Sequence, residues 1–156
     1  MEHLKILNSK EKKSILKQLE SQYQSQLELP YVFLMNTEQK IFLMSQDVAK
    51  IKLEDLRVNS LGVYFGKQEK DGIRLSIEGS QLVGPYAKKN ILEVQEEAMM
   101  QWFKGAELPS FENIPGYVIL KHGVDFLGCG KAKDGKILNY VDKGRRILPK
   151  SEMHKI

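Results

Sequence analysis

The sequence predicts an α+β fold in two units, an α/β unit over residues 1–84 and a mixed β unit with one helix over residues 85–156. Three observations lead to this prediction. An amphipathic stretch opens the chain, short apolar runs bounded by turn residues follow it, and Gly84-Pro85 interrupts the pattern near the middle. The length of 156 residues suits one ordinary domain or two small ones that share an interface.

The first unit should contain one long helix and two β-hairpins. Ile15, Leu19 and Tyr23 recur at helical spacing after Ser9, a residue type that favours the N-cap position. Asp71-Gly72 is a strong hairpin turn. The expected elements are a helix over residues 10–25, strands over residues 31–35, 40–44, 60–66 and 73–77, a helical turn over residues 47–50, and a short helix or irregular link over residues 53–58.

The second unit should be built from short strands around a single helix. Ala98, Met99, Trp102 and Phe103 define an apolar helix face, and Gly105 ends this helix. We expect Trp102 and Phe103 to belong to the core rather than to a base-stacking surface. The expected elements are strands over residues 91–94, 116–120, 126–132 and 137–141, a helix over residues 96–104, a loop over residues 109–115, and an optional strand over residues 145–148.

Positive charge is concentrated in the last quarter of the chain. From residue 116 onward nine Lys and Arg residues face four acidic residues, a net charge of +5, whereas the whole chain carries +4 and residues 1–115 therefore carry −1. A small basic β-rich unit favours an acidic partner, and RNA or DNA is the first class to consider. Gly144 lets the backbone approach a ligand, and the Arg side chains beside it match phosphate geometry. The candidate RNA-binding residues are Lys121, Lys131, Lys143, Arg145, Arg146 and Lys150.

Residues that could carry catalysis or bind a cofactor do not form a recognisable motif. The three histidines lie far apart and Cys129 is the single cysteine, so no zinc spacing is present. Three residues separate Gly62 from Gly66, whereas a phosphate-binding loop needs four. His122 and Asp125 are interpreted as hairpin-turn residues, and Cys129 as a buried, inert thiol. We therefore predict no catalytic site, no cofactor and no metal ion.

The helix and the glycine-rich strand of the second unit resemble a PUA domain, the RNA-binding module named after pseudouridine synthase and archaeosine transglycosylase. The resemblance rests on Trp102-Phe-Lys-Gly105, on Gly116-Tyr-Val-Ile-Leu120 and on Leu127-Gly-Cys-Gly-Lys131. It implies a mixed β pseudobarrel that binds RNA. The basic surface of that family corresponds here to Lys143, Arg145, Arg146 and Lys150.

The first unit is similar to the pre-PUA domain of small ribosome-biogenesis factors. The matching segments are Asn59-Ser-Leu-Gly-Val-Tyr-Phe-Gly-Lys67, Ile73-Arg-Leu-Ser76 and Gly84-Pro-Tyr-Ala-Lys-Lys89. A similar unit occurs beside RNA cytosine methyltransferases of the Nol/Nop/Sun class, whose catalytic domain has no counterpart in this sequence. The resemblance implies a protein-binding or second RNA surface on this unit.

These observations lead to one expected function and two alternatives. We expect a non-catalytic RNA-binding protein that acts on structured rRNA or tRNA, in ribosome biogenesis or RNA modification. The first alternative is a specificity subunit that delivers RNA to a separate methyltransferase or pseudouridine synthase. The second, a free-standing enzyme, is disfavoured by the failed motifs. One cysteine, no secretory signal and no long apolar run favour a cytoplasmic protein without membrane attachment.

Overall fold

The computed structural model describes residues 4–49, 62–110 and 116–141, which form two five-stranded sheets with helices packed against them. The α+β class is therefore confirmed. The first part of the chain contains β1 (Lys5–Ile6), α1 (Ser9–Tyr23), β2 (Val32–Met35), β3 (Lys40–Met44), α2 (Gln46–Ala49), β4 (Val63–Glu69), β5 (Gly72–Leu75) and α3 (Ile77–Val83). After a 3₁₀ turn over Gly84–Tyr86 come β6 (Ile91–Glu93), α4 (Glu96–Phe103), β7 (Leu108–Pro109), β8 (Gly116–His122), β9 (Asp125–Lys133) and β10 (Lys136–Asn139).

The first sheet is an antiparallel meander in the order β1-β2-β3-β4-β5. Val32 lies opposite Met44 in the β2–β3 hairpin, and Glu69 lies opposite Gly72 in the β4–β5 hairpin. Both hairpins predicted from the sequence are confirmed. The predicted helical turn after β3 is also present as α2.

Helix α1 is capped by Asn8 rather than by Ser9, which corrects the sequence prediction. The Asn8 side-chain oxygen accepts the Glu11 N–H at 2.8 Å, and the Glu11 carboxylate accepts the Asn8 N–H at 3.1 Å. These reciprocal bonds form a capping box. Because Asn8 is extended, Ser9 becomes the first helical residue; the helix ends at Tyr23, before Gln24 in the left-handed conformation.

A helix that the sequence did not predict follows β5. Ile77 was expected to end a strand, but it begins α3. The Ser76 hydroxyl accepts the Gly79 N–H at 2.9 Å and so caps the new helix. A side chain at Gly79 would collide with the carbonyl oxygen of Phe65. The residue that weakens the helical pattern in the sequence is therefore required by packing.

The second sheet is mixed, in the order β6-β8-β9-β10-β7. Strand β6 runs parallel to β8, and the remaining pairs are antiparallel. The four strands expected in residues 91–141 are confirmed, as is the helix that Gly105, at φ +93°, terminates. Pro109 was expected to begin the loop over residues 109–115, but it pairs with Lys136 of β10 and belongs with Leu108 to the edge strand β7.

One core joins the two sheets. Ile119 and Cys129 of the second sheet pack into the same apolar cluster as Leu19 of α1 and Phe65 of the first sheet. The other face of the second sheet packs on α4 through a cluster that includes Trp102, which is fully buried as predicted. This shared core determines which polar residues of the two sheets meet at the surface.

Several predicted elements lie wholly or partly outside the described ranges. They are the end of the helical turn at residue 50, the link over residues 53–58, the start of the strand at residues 60–61, the loop beyond Ser110, and the optional strand over residues 145–148.

Candidate nucleic-acid interface

The glycines of β9 let α4 pack directly on the strand. Gly128 has φ +128°, a conformation that other residues rarely adopt. A methyl group at Gly130 would lie 2.9 Å from the Trp102 ring and 2.8 Å from the Leu138 carbonyl oxygen. The Trp102 indole N–H donates to the Leu127 carbonyl at 3.3 Å. The motif Leu127-Gly-Cys-Gly-Lys131 therefore fits β9 between α4 and the shared core.

Lys131, a predicted RNA-binding residue, takes part in an inter-sheet triad with Asp71 and Tyr117. Its ammonium lies 2.6 Å from one Asp71 carboxylate oxygen and 5.5 Å from the centre of the Tyr117 ring. The Tyr117 hydroxyl donates to the other Asp71 oxygen at 2.8 Å. The hydrogen bond to Asp71 raises the pKa of Lys131, and the bonds from Lys131 and Tyr117 lower the pKa of Asp71. Both ions therefore stay charged at neutral pH.

Lys121, the other described candidate, lies at the opposite end of the β8–β9 ladder. Its ammonium lies 5.5 Å from the centre of the Phe126 ring and the residue is half-buried. Lys131 pairs with Tyr117 in the register, four residues before Lys121, so the two lysine backbones are about 13 Å apart. The structure does not bring these two cations into one cluster.

Four predicted site residues lie outside the described ranges: Lys143, Arg145, Arg146 and Lys150. Their role in binding RNA stays a prediction.

Two further cations at the β9–β10 turn were not chosen from the sequence. Lys133 lies directly opposite Lys136, and both are exposed. Asp134 and Gly135 between them have φ values of 52° and 76°, as a tight two-residue turn requires. Neither lysine forms an ion pair with another described residue. The sequence signal for this pair of lysines is the turn dipeptide Asp134-Gly135, because a two-residue turn places the residues on either side of it opposite each other.

The residues considered for catalysis, Cys129, His122 and Asp125, occupy structural positions. Burial raises the pKa of Cys129 to about 11, and its thiol lies 3.7 Å from the Tyr23 hydroxyl. The burial predicted for Cys129 is confirmed. The His122 ring nitrogen Nδ1 donates to the Val94 carbonyl at 2.8 Å. Asp125 is the cross-strand neighbour of His122 at the hairpin end, as the turn interpretation requires.

Neither a metal cluster nor a membrane-spanning helix occurs in the described part of the chain. Within residues 4–49, 62–110 and 116–141, no three His, Cys, Asp or Glu residues are grouped so that they could hold a metal ion. Among the same residues, no helix combines the length and the apolar character needed to cross a membrane.

The second sheet and one family match support a class of protein. The sheet curls into a half-barrel consistent with a PUA-like fold. Residues 89–147 match the family model described as the methyltransferase RsmF PUA domain, which covers 59 of the 156 residues. The match supports a PUA-domain RNA-binding protein, because a PUA domain suggests RNA binding. Comparison with curated proteins gives no match to the chain.

Proposed function

We propose that this chain is a non-catalytic RNA-binding protein that acts on structured rRNA or tRNA in ribosome biogenesis or RNA modification. The match of residues 89–147 to a PUA family carries the proposal. The net charge of +5 from residue 116 onward supports it, because phosphate contacts supply much of the affinity for RNA. Recognition would rest mainly on shape and backbone contacts.

The main phosphate contacts are assigned to the cations of the C-terminal segment. Lys143, Arg145, Arg146 and Lys150 are supported by charge and by the resemblance to PUA domains. The two exposed lysines of the β9–β10 turn add to them. The ion pair with Asp71 favours a structural role for Lys131, since RNA would have to compete with a carboxylate 2.6 Å away.

The surroundings of Cys129 and His122 favour a non-catalytic role. A nucleophilic cysteine needs a thiolate, and burial opposes it at Cys129 by raising the pKa to about 11. His122, in the β8–β9 hairpin, donates its Nδ1 proton to the backbone carbonyl of Val94, as a structural histidine does. The single free, buried thiol also suits a reducing, cytoplasmic environment.

Residues 1–84 are proposed to form the pre-PUA-like unit and residues 85–156 the PUA-like unit. The 3₁₀ turn over Gly84–Tyr86 occupies the junction, and the family match begins at residue 89. Because the two sheets share a core, the units would present one continuous surface to a ligand.

The alternative is a specificity subunit that delivers RNA to a separate modifying enzyme. The description of the matching family, a domain of a methyltransferase, favours this reading. It differs from the main proposal in requiring a stable protein partner.

RNA crosslinking in cells, followed by sequencing of the bound fragments, tests the proposal. The protein should enrich defined rRNA or tRNA segments relative to an Arg145→Ala, Arg146→Ala variant expressed at the same level. Recovery of a modifying enzyme in equal amount would favour the alternative. RNA recovery no higher than that of an unrelated protein of the same charge would contradict both.

A further inference from the structure

The face of the first sheet opposite the core carries a row of cations. Lys40 of β3 lies opposite Lys67 of β4, which lies opposite Arg74 of β5. Because side chains alternate along a strand, these three share one face, while their neighbours Ile41 and Ile73 point into the core. The row crosses three adjacent strands and is partly open to solvent, with side-chain exposures of 40%, 32% and 24%.

The described carboxylates neutralise this row of cations only in part. Glu38 lies 3.4 Å from Lys40, and Glu69 lies 3.9 Å from Lys67 and 3.8 Å from Arg74. Within the described ranges, two carboxylates thus face three cations at distances of 3.4–3.9 Å. Like charges that lie opposite each other in a sheet are destabilising. An incoming phosphate can replace these loose partners without disrupting the core.

Aromatic rings lie beside the cations on the same face. Phe42 lies opposite Tyr64, with ring centres 5.6 Å apart, and the Lys40 ammonium lies 6.0 Å from the Tyr64 ring. Tyr140, which follows β10 of the second sheet, lies 4.3 Å from the Arg74 guanidinium and is 37% exposed. Rings interleaved with cations are the arrangement that accepts unstacked bases and the backbone between them.

Two of these tyrosines also line one cleft between the sheets. Tyr64 and Tyr140 contribute to its walls, with Ser76 and Cys129 in the same lining, and its volume is about 90 Å³. The cleft lies where the cation row meets the second sheet.

We infer that this outer face, defined by Lys40, Tyr64, Lys67, Arg74 and Tyr140, binds a single-stranded segment of RNA. The bases stack on the rings and the phosphates contact the cations. The inference rests on the proposed function, because the same RNA is held by the C-terminal cations. Tyr140 precedes Lys143, the first of these cations, by three residues in the sequence.

Titration with two RNAs tests the inference: a hairpin with a single-stranded extension, and the same hairpin without it. The wild-type protein should bind the extended RNA more tightly. Tyr64→Leu with Tyr140→Leu should weaken binding of the extended RNA by about tenfold or more, because base stacking is lost while apolar volume is kept. Binding of the blunt hairpin should change less than about twofold.

A second pair of variants separates charge from folding. Lys40→Gln with Lys67→Gln should weaken binding of the extended RNA, whereas Lys13→Gln with Lys17→Gln, on exposed positions of α1, removes the same charge and should not. If the double tyrosine variant unfolds, Tyr140→Leu alone, at an exposed position, replaces it in the titration.

The outcomes distinguish the two proposals. Equal wild-type affinity for both RNAs, or unchanged affinity of the tyrosine variants for the extended RNA, would overturn the inference and leave the proposed function standing. Failure of the wild-type protein to bind either RNA would remove both. Loss of a protein partner from the tyrosine variants, with RNA affinity unchanged, would make the outer face a protein-binding surface.

Discussion

The ammonium of Lys131 in the second sheet lies 2.6 Å from the carboxylate of Asp71 in the β4–β5 turn of the first sheet. The Tyr117 hydroxyl donates to the same carboxylate at 2.8 Å, so the Asp71 side chain receives two bonds from the other sheet. This triad lies at the edge of the shared core. A residue that the sequence marks as an RNA contact therefore helps to dock the two sheets.

Asp71→Asn should lower the free energy of unfolding at neutral pH, because it removes the charge that faces Lys131. The partners of Asp71 lower its pKa below the unfolded-state value, with Lys131 the main cause. A carboxyl group with a depressed pKa stabilises the fold above its unfolded-state pKa, and this contribution is lost as the pH falls through the folded-state pKa. The variant should therefore lose less stability on acidification, as measured by denaturant unfolding from neutral pH to about pH 2.

Asp134→Asn, in the exposed β9–β10 turn, is the matched control and should leave the acid dependence unchanged. If the free energy of unfolding falls equally steeply with acidification in Asp71→Asn and in the wild type, the triad does not contribute to stability.

Cys129 should react slowly with a thiol reagent in the native protein. It is 4% exposed and burial raises its pKa to about 11, so the thiolate that attacks the reagent is a minor species at neutral pH. Labelling followed by mass spectrometry should show a rate that rises steeply with denaturant, as expected for reaction through unfolding. Rapid, complete labelling without denaturant would contradict the packing of β9 against the core.

Gly130→Ala should destabilise the second sheet by about 1–3 kcal/mol, the usual cost of overpacking a core. The added methyl group would lie 2.9 Å from the Trp102 ring and 2.8 Å from the Leu138 carbonyl oxygen. Lys133→Ala, on an exposed position of the same strand, should change stability by less than about 0.5 kcal/mol. Denaturant unfolding monitored by Trp102 fluorescence compares the two variants, and equal effects would contradict the close packing of Ile137, Leu138 and Trp102 around Gly130.

Local patterns in the sequence were sufficient to predict most of the sheet strands. Asp71-Gly72 predicted the β4–β5 hairpin, since turn geometry and alternation depend on neighbouring residues. The cap at Asn8 was missed although Glu11 stands three residues later, as a capping box requires. Helix α3 was missed for a different reason, because Gly79 is needed for contact with Phe65, which is distant in sequence.

The sequence predicted the chemistry of the candidate interface better than it predicted the geometry. The charge excess after residue 116 and the motif around Gly128 indicated RNA binding, and the family match supports it. The ion pair of Lys131 with Asp71 could not be predicted, because it depends on how the two sheets dock. The same holds for the contact between Arg74 and Tyr140.

Titration of a structured RNA at several salt concentrations is the most direct test of the central claim, that the basic C-terminal segment binds RNA. The wild-type affinity should fall steeply with salt, because each neutralised phosphate releases counterions. Arg145→Ala with Arg146→Ala should weaken binding and reduce the salt slope by about one for each residue that contacts a phosphate. Lys13→Ala with Lys17→Ala, exposed on α1, should leave the affinity nearly unchanged. Equal losses in the two double variants, or a wild-type affinity independent of salt, would contradict a dedicated RNA site in this segment.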